Sequence, residues 1–109
     1  MIIDYTKIPA ASIAGMRGGE GVLTIQKITQ EGCTLARITL PPHTSIGPHI
    51  HADDEEYVVV ESGTGECLNG DLWVPISAGM VHLNKQGEHH SIRNQSNNNL
   101  VIIAYIYRK

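Results

Sequence analysis

The sequence lacks the features that mark membrane and nucleic-acid-binding proteins. No apolar run approaches the roughly 20 residues that span a bilayer, and the N-terminal stretch has no basic flank followed by a long apolar segment. The eight Lys and Arg residues are scattered along the chain and are outnumbered by eleven Asp and Glu, which gives a formal net charge of −3. No basic patch marks a nucleic-acid partner, and we expect a cytoplasmic protein without a membrane partner.

Cysteine is also scarce, which bears on the redox compartment. Cys33 and Cys67 are the two cysteines of the chain, and they lack the C-x-x-C spacing of a redox motif. Both lie in strand-like sequence, and a reducing compartment keeps thiols free. We predict two buried thiols, with a disulfide between them as the alternative.

The length and composition suffice for one folded domain. A chain of 109 residues is too short for two cores of ordinary size, so we predict a single domain over residues 1–109. With 41% hydrophobic and 17% charged residues, the chain has enough apolar surface to offset the entropy of ordering. This composition excludes disorder of the whole chain.

Helical periodicity is missing as well, and short β-rich runs separated by Gly, Pro and Asn take its place. The pattern predicts an all-β protein with strands at Val22–Thr29, Cys33–Leu40, Pro48–His51, Glu56–Glu61, Gly65–Leu68, Asp71–Ile76, Met80–Leu83, His89–Asn94 and Leu100–Arg108. Asn69-Gly70 predicts a type I′ hairpin turn, in which both residues take positive φ. Eight or nine short strands predict a jelly-roll β-barrel, with its core over about residues 21–108.

The last predicted strand has apolar residues on both of its faces. Its sequence LVIIAYIY needs cover on each side, so one face is expected to contact a partner subunit or the N-terminal segment. We therefore predict a homodimer formed through the outer faces of strands. Arg37 alternates with Ala36 and Ile38, and we expect it to face solvent or form an interface salt bridge.

Five of the six histidines fall in two clusters, and the first cluster runs into four acidic residues. Side chains alternate along a strand, so His49 and His51 project from the same face with Cα atoms about 6.5–7 Å apart. Two imidazoles at that spacing can share one divalent ion. A carboxylate just beyond the turn-forming Ala52-Asp53-Asp54 can return on the neighbouring strand to complete the set.

Alternation also selects among the acidic residues and among the later histidines. If Glu56 faces inward, Val58 and Val60 face inward with it, whereas an inward Glu55 would bring the unpartnered charge of Glu61 inside. The same test pairs His90 with Ile92 on the inner face and leaves His89 on the surface. Asp53, Asp54 and Glu55 are expected to be solvated turn residues rather than ligands.

Two motifs in series carry a resemblance to a known family. The first is His49-Ile-His51, four residues, Glu56, six residues and Gly63; the second is Gly79, five residues, Lys85-Gln86-Gly87, two residues, His90, three residues and Asn94. Together they resemble the two motifs of the cupin superfamily, in particular its small single-domain conserved-barrel type. The resemblance implies a double-stranded β-helix that holds one divalent metal on His49, His51, Glu56 and His90.

The metal itself is left open by this ligand set. Three imidazoles and one carboxylate suit Mn, Fe, Ni, Zn or Co, and they leave one or two coordination positions for water, O₂ or a ligand. Because the ligands must be deprotonated, we expect metal binding to weaken below about pH 6.

Two function classes follow from such a centre. The first is a metal-dependent enzyme of dioxygenase, isomerase or decarboxylase type acting on a small oxygenated molecule, with Glu56 as a candidate base. The second is a non-catalytic module that binds a small ligand or only the metal. An ionisable group directed into the cavity would favour the enzyme, and His43, His82 and Arg17 are the candidates; a purely aliphatic lining would favour binding.

Overall fold

The computed structural model describes residues 1–108 and consists of ten β-strands with two short 3₁₀ segments, Tyr5–Lys7 and Met16–Gly18. The strands are β1 Ala11–Ala14, β2 Val22–Gln30, β3 Cys33–Leu40, β4 Thr44–Ile50, β5 Glu55–Ser62, β6 Thr64–Asn69, β7 Leu72–Ser77, β8 Val81–Asn84, β9 His89–Asn94 and β10 Leu100–Tyr107. The predicted all-β class is confirmed. No helix within these residues is long and apolar enough to cross a membrane.

The strands form two antiparallel sheets that face each other. The larger has the order β1-β2-β3-β10-β5-β8 and the smaller the order β4-β9-β6-β7. Inward-facing side chains of both sheets, such as Leu40, Val58, Ile92 and Ile102, are almost fully buried between them. This two-sheet arrangement is the predicted jelly roll.

Two strands differ from the sequence-based prediction by more than one residue at an end. The strand β1 was not predicted, because four mostly exposed residues carry no clear alternation of apolar and polar side chains. The strand β4 begins at Thr44, four residues before the predicted start at Pro48. Pro48 is tolerated inside β4 because this strand lies at an edge of its sheet, where a missing N–H removes no essential ladder bond.

The prediction of a type I′ turn at Asn69-Gly70 was wrong, because the loop begins one residue later. Asn69 still pairs with Leu72, so the two-residue loop is Gly70-Asp71. Gly70 has a φ of 65°, whereas neither Asn69 nor Asp71 has a positive φ. A glycine at the first loop position followed by a residue of negative φ is typical of a type II′ hairpin turn rather than type I′.

Both cysteines are free thiols. Cys67 is buried as predicted, and burial raises the pKa of its thiol to about 12, which makes it a poor nucleophile. Cys33 is only half-buried, because it begins a strand at one end of the sheet.

The outer face of the larger sheet is partly covered by the N-terminal segment. The amide of Gln26 donates to the backbone carbonyls of Tyr5 and Ile8, and the guanidinium of Arg37 lies over the Tyr5 ring. Arg37 also forms an ion pair of 3.0 Å with Glu61 of the same chain. Several large apolar side chains of this face stay exposed, namely Leu35, Tyr57, Val59, Val81 and Tyr105. The homodimer stays a prediction that rests on this exposed face.

Candidate metal centre

The structure brings the four predicted ligand residues together between the two sheets. His49 lies near the end of β4 and His51 directly after it, His90 lies on β9, and Glu56 comes from β5 of the opposite sheet. One donor atom from each residue lies within 4.8 Å of the other three. His51, Glu56 and His90 are buried, and His49 is partly buried. Such a group could hold one metal ion.

An irregularity in β4 directs its two histidines into the barrel. Ile46 pairs with Ile92 and His49 pairs with His90, so β4 has one more residue than β9 over this stretch. The extra residue lies at Gly47-Pro48 and is a β-bulge, which shifts the alternation by one position. Ile46 and His49 therefore both face inward, and His51 follows His49 by the period of two.

Each imidazole has a separate hydrogen-bond partner for its Nδ1 atom. His49 Nδ1 is 2.8 Å from the carbonyl oxygen of Gly47, and His51 Nδ1 is 2.6 Å from a carboxylate oxygen of Asp54. His90 Nδ1 is 3.2 Å from Nε2 of His82. Because the carbonyl and carboxylate are acceptors, the Nδ1 atoms of His49 and His51 carry the hydrogen, and their Nε2 lone pairs are free to bind a cation.

The free donor atoms face one another across a short gap. Nε2 of His90 is 2.9 Å from Nε2 of His49 and 2.9 Å from Oε1 of Glu56, and Nε2 of His51 is 3.1 Å from the same oxygen. His51 Nε2 and Glu56 Oε1 are nevertheless buried without a hydrogen-bond partner of acceptable geometry in residues 1–108. Buried lone pairs that converge without hydrogen bonds need a proton or a cation between them, so the residues present fit a divalent metal ion.

The electrostatics of the cluster favour a charged carboxylate. Burial by itself would raise the pKa of Glu56, but the close contacts with His51 and His90 outweigh it and lower the pKa to about 2. The contact with Glu56 raises the pKa of His51, with Asp54 adding to the effect. Burial lowers the pKa of His49, and the positive charges of neighbouring groups, including Arg17, add to this.

The acidic residues before Glu56 do not all behave as predicted. Asp53 is exposed, as expected, and Asp54 supports His51 from outside the cluster. Glu55 was expected to be a solvated turn residue, but it is buried: the Tyr107 hydroxyl donates to it at 3.0 Å and the Gln86 backbone N–H at 3.3 Å. Alternation had correctly placed Glu55 on the outer face, which at this end of the barrel is covered by distant parts of the chain.

A cavity of about 260 Å³ opens from the donor atoms toward the 3₁₀ segment Met16–Gly18. Most of its wall is aliphatic, with Ile13, Ile25, Ile38, Ile46, Ile92 and Ile102 among the lining residues. Beyond the four candidate ligands, its only polar lining residues in residues 1–108 are Arg17, Lys27 and Thr34. Arg17 was among the residues predicted as pocket candidates, and Lys27 was not.

The two other histidines considered as pocket residues do not line this cavity. His82 lies behind His90, with the two rings stacked 5.3 Å apart, and burial lowers its pKa. His43 is exposed and lies at a separate groove of about 320 Å³, which it shares with Trp73. The guanidinium of Arg93 lies 3.8 Å from the centre of the Trp73 ring, so this indole is covered on one face.

Comparison with known proteins gives concordant matches. The family model described as "Cupin domain" matches residues 36–106. A protein of Thermotoga maritima named oxalate-binding protein is 33% identical over 112 aligned positions, and the alignment covers 97% of this chain and 93% of that protein. A crystal structure from Thermotoga maritima, described as a predicted oxalate decarboxylase, has a TM-score of 0.95 and 31% identity, with full coverage of both chains.

A more distant structural neighbour shares the fold alone. A polyketide cyclase from Streptomyces resistomycificus has a TM-score of 0.83 and 17% identity, covering 100% of this chain and 80% of that one. The same double-stranded β-helix therefore occurs with very different sequences, and function has to be argued from the residues of the site.

Proposed function

The chain belongs to the cupin domain family, and on that premise we propose that it binds one divalent metal ion and, on that ion, a small carboxylate ligand. The metal ligands would be His49, His51, Glu56 and His90. The bound ion would supply open coordination positions for oxygen atoms of the ligand. Mn, Fe, Ni, Zn and Co all suit this donor set.

One observation carries the metal-binding part of the proposal. His51 Nε2 and Glu56 Oε1 are buried and lack hydrogen bonds, while the Nδ1 atom of each of the three candidate ligand histidines is engaged by another group. A side chain fixed in this way presents its remaining lone pair in a defined direction before any ion arrives. This is the arrangement expected of a preorganised metal site. Without a bound ion, the buried lone pairs lack a partner, which costs free energy.

The cavity and the relatives support a small carboxylate as the ligand. The space of about 260 Å³ beside the donor atoms admits a molecule of a few heavy atoms rather than a polymer. The relative of 33% identity is named oxalate-binding protein. Oxalate can offer two oxygens to one ion, so it is the first ligand to test.

Arg17, one of the ionisable groups that would favour an enzyme, does line the cavity, but as a permanent cation it cannot accept a proton, so we favour binding without turnover over catalysis. Apart from the candidate ligands, its charged lining residues within 1–108 are two cations, and neither is placed as a proton acceptor. Catalysis stays the second candidate because Glu56 could act as a base if it left the metal. The description of the Thermotoga maritima structure as a predicted oxalate decarboxylase favours decarboxylation among the enzyme types.

Elemental analysis and calorimetry test the proposal directly. Protein purified without chelators should carry close to one divalent ion per chain, and titration with oxalate should give a binding isotherm that disappears after the metal is stripped. His51→Ala should lose the ion, and His89→Ala, an exposed histidine of the second cluster, should retain it. Circular dichroism would establish that both variants are folded.

The same preparation separates the two candidate functions. Binding of oxalate with no release of carbon dioxide or formate over many hours supports the binding protein, whereas sustained release supports the decarboxylase. A His51→Ala protein that is folded and keeps its full metal content would refute the ligand assignment.

A further inference from the structure

Lys27 occupies a position where the barrel would ordinarily have an apolar side chain. It follows Leu23 and Ile25 along β2 with a period of two, and both of those residues pack in or against the core. Its partner across the ladder is Ala36, which also lines the cavity. The alternation therefore directs Lys27 to the inner side of the larger sheet, at a level where the barrel opens to solvent.

Arg17 reaches the same cavity from the 3₁₀ segment Met16–Gly18. Its φ is 54°, and it is one of two non-glycine residues in 1–108 with a positive φ. Such a conformation is costly for a residue with a Cβ and persists when its surroundings fix it. The surroundings here are the backbone of β4: a Cβ at Gly47 would lie 2.2 Å from the Arg17 carbonyl oxygen. The absence of a side chain at Gly47 thus lets this segment lie directly on β4, two residues before His49.

Neither cation is neutralised by a carboxylate within the part of the chain that the structure describes. The two other arginines at the sheet surfaces do form ion pairs: Arg37 with Glu61 at 3.0 Å and Arg93 with Glu66 at 2.9 Å. Arg17 and Lys27 line the cavity and form no such pair. Glu56 supplies the only carboxylate of the cavity wall in these residues, and it is engaged with the histidines.

The charge of the loaded cavity can be counted from these groups. A divalent ion beside the Glu56 carboxylate leaves one net positive charge, to which Arg17 and Lys27 each add one more. A dianion would remove two of these charges and a monoanion only one. Most of the remaining wall is aliphatic, but both cations are exposed, so solvent screens part of the difference between the two anions.

We propose that Arg17 and Lys27 form a cationic pair that makes the site selective for small dianions over monoanions of the same shape. This inference rests on the proposed function, since it concerns the ligand of the same metal centre. The metal would hold oxygen atoms of the ligand, and the two cations would stabilise the negative charge that the ion does not neutralise.

Oxalate and oxamate provide a matched pair of probes. They have the same size and planar shape, but the amide of oxamate removes one of the two negative charges. Calorimetric titration of the metal-loaded protein should show oxalate binding at least tenfold more tightly than oxamate. Arg17→Gln and Lys27→Gln should each weaken oxalate binding about two- to fivefold and leave oxamate binding nearly unchanged; the effects are modest because both residues are exposed to solvent.

Two kinds of control separate charge from structure. Arg17→Lys and Lys27→Arg keep the charge and should keep most of the preference, and Lys7→Gln, an exposed lysine outside the cavity, should have no effect. Raising the ionic strength should reduce the preference in the wild type more than in a variant that lacks both cations.

The outcomes distinguish this inference from the proposed function. Equal affinity for oxalate and oxamate in the wild type, or a preference unchanged in Arg17→Gln and Lys27→Gln, would overturn the cationic pair while leaving a carboxylate-binding metal centre in place. Failure of the metal-loaded protein to bind either anion would instead refute the proposed function. A folded double variant that loses the preference but retains the metal would support both.

Discussion

Asp54 tests whether the candidate centre depends on residues that do not touch the metal. Its carboxylate accepts a hydrogen bond from His51 Nδ1 at 2.6 Å, a short distance that indicates a charge-assisted bond. This bond fixes the tautomer and the ring orientation of His51 and makes its Nε2 a stronger donor to a cation. We predict that Asp54→Ala weakens metal binding without unfolding the protein.

The expected loss of metal affinity in Asp54→Ala depends on how far the Asp54 side chain is exposed to solvent. Removing a carboxylate that supports a ligating histidine generally lowers metal affinity about 10- to 100-fold. The Asp54 side chain is 28% exposed, so water screens part of its charge and can replace part of its hydrogen bond. We therefore expect the lower end of the range, about tenfold, which corresponds to about 1.4 kcal/mol of binding free energy.

A chelator competition titration with Zn²⁺ on metal-stripped protein measures this change. The matched control is Asp53→Ala, which removes an exposed carboxylate from the adjacent position and should leave the affinity within about twofold of wild type, since surface charges contribute little. Asp54→Asn keeps an acceptor oxygen without the charge and should give an intermediate affinity. If Asp54→Ala and Asp53→Ala bind Zn²⁺ equally well, the orienting role of Asp54 is refuted.

Four further predictions concern pH, metal binding, packing and assembly. Because the pKa of Glu56 is lowered to about 2 from an ordinary 4.5, its charged form stabilises the metal-free fold above pH 4.5, and this contribution is lost as the pH falls toward 2. The lowered pKa values of His49 and His82 favour the fold above pH 6.5, whereas the raised pKa of His51 favours it below that value, so the melting temperature should fall most steeply on acidification from pH 4.5 to 2, and an unchanged melting temperature over that range would contradict this. Added Zn²⁺ should raise the melting temperature more at pH 8 than at pH 5, because the metal competes with protons for the histidines. Gly47→Ala should lower the unfolding free energy by about 1–3 kcal/mol in urea titrations, since its Cβ would meet the Arg17 carbonyl; unchanged stability would show that the 3₁₀ segment moves freely. Sedimentation should show wild-type dimers and Tyr105→Glu monomers, and wild-type monomers at millimolar concentration would exclude the predicted dimer.

The strands were predictable because their signal is local. Residues 33–40 and 89–94 have the same bounds in the prediction and in the structure, since alternation and flanking turn residues define both ends. The hairpin at Gly70 was misplaced by one residue because an Asn-Gly pair can sit in a two-residue loop or end the strand before it. Only the pairing of Asn69 with Leu72 decides between these arrangements, and that pairing depends on the whole sheet.

The inward direction of Glu56 and His90 could be predicted, whereas the burial of Glu55 could not. Alternation states which face of a strand a residue occupies, and it places Glu55 correctly on the face opposite Glu56. It does not state what covers that face. The groups that bury Glu55 lie 31 and 52 residues further along the chain, at Gln86 and Tyr107, so their approach is a result of the tertiary fold.

The hydrogen bonds of the three candidate ligand histidines bear on what a bound metal ion would contribute to stability. Gly47, Asp54 and His82 hold the rings of His49, His51 and His90 through Nδ1, so the direction of the donor atoms is set by the protein and not by an ion. Nε2 of His90 lies 2.9 Å from Oε1 of Glu56 and also 2.9 Å from Nε2 of His49. Without a proton or a cation between them these lone pairs repel one another. This repulsion lowers the stability of the metal-free barrel, and the packing of the core must offset it. A bound divalent ion replaces this repulsion by attraction while moving few atoms, so it should raise the free energy of unfolding and leave the secondary structure unchanged.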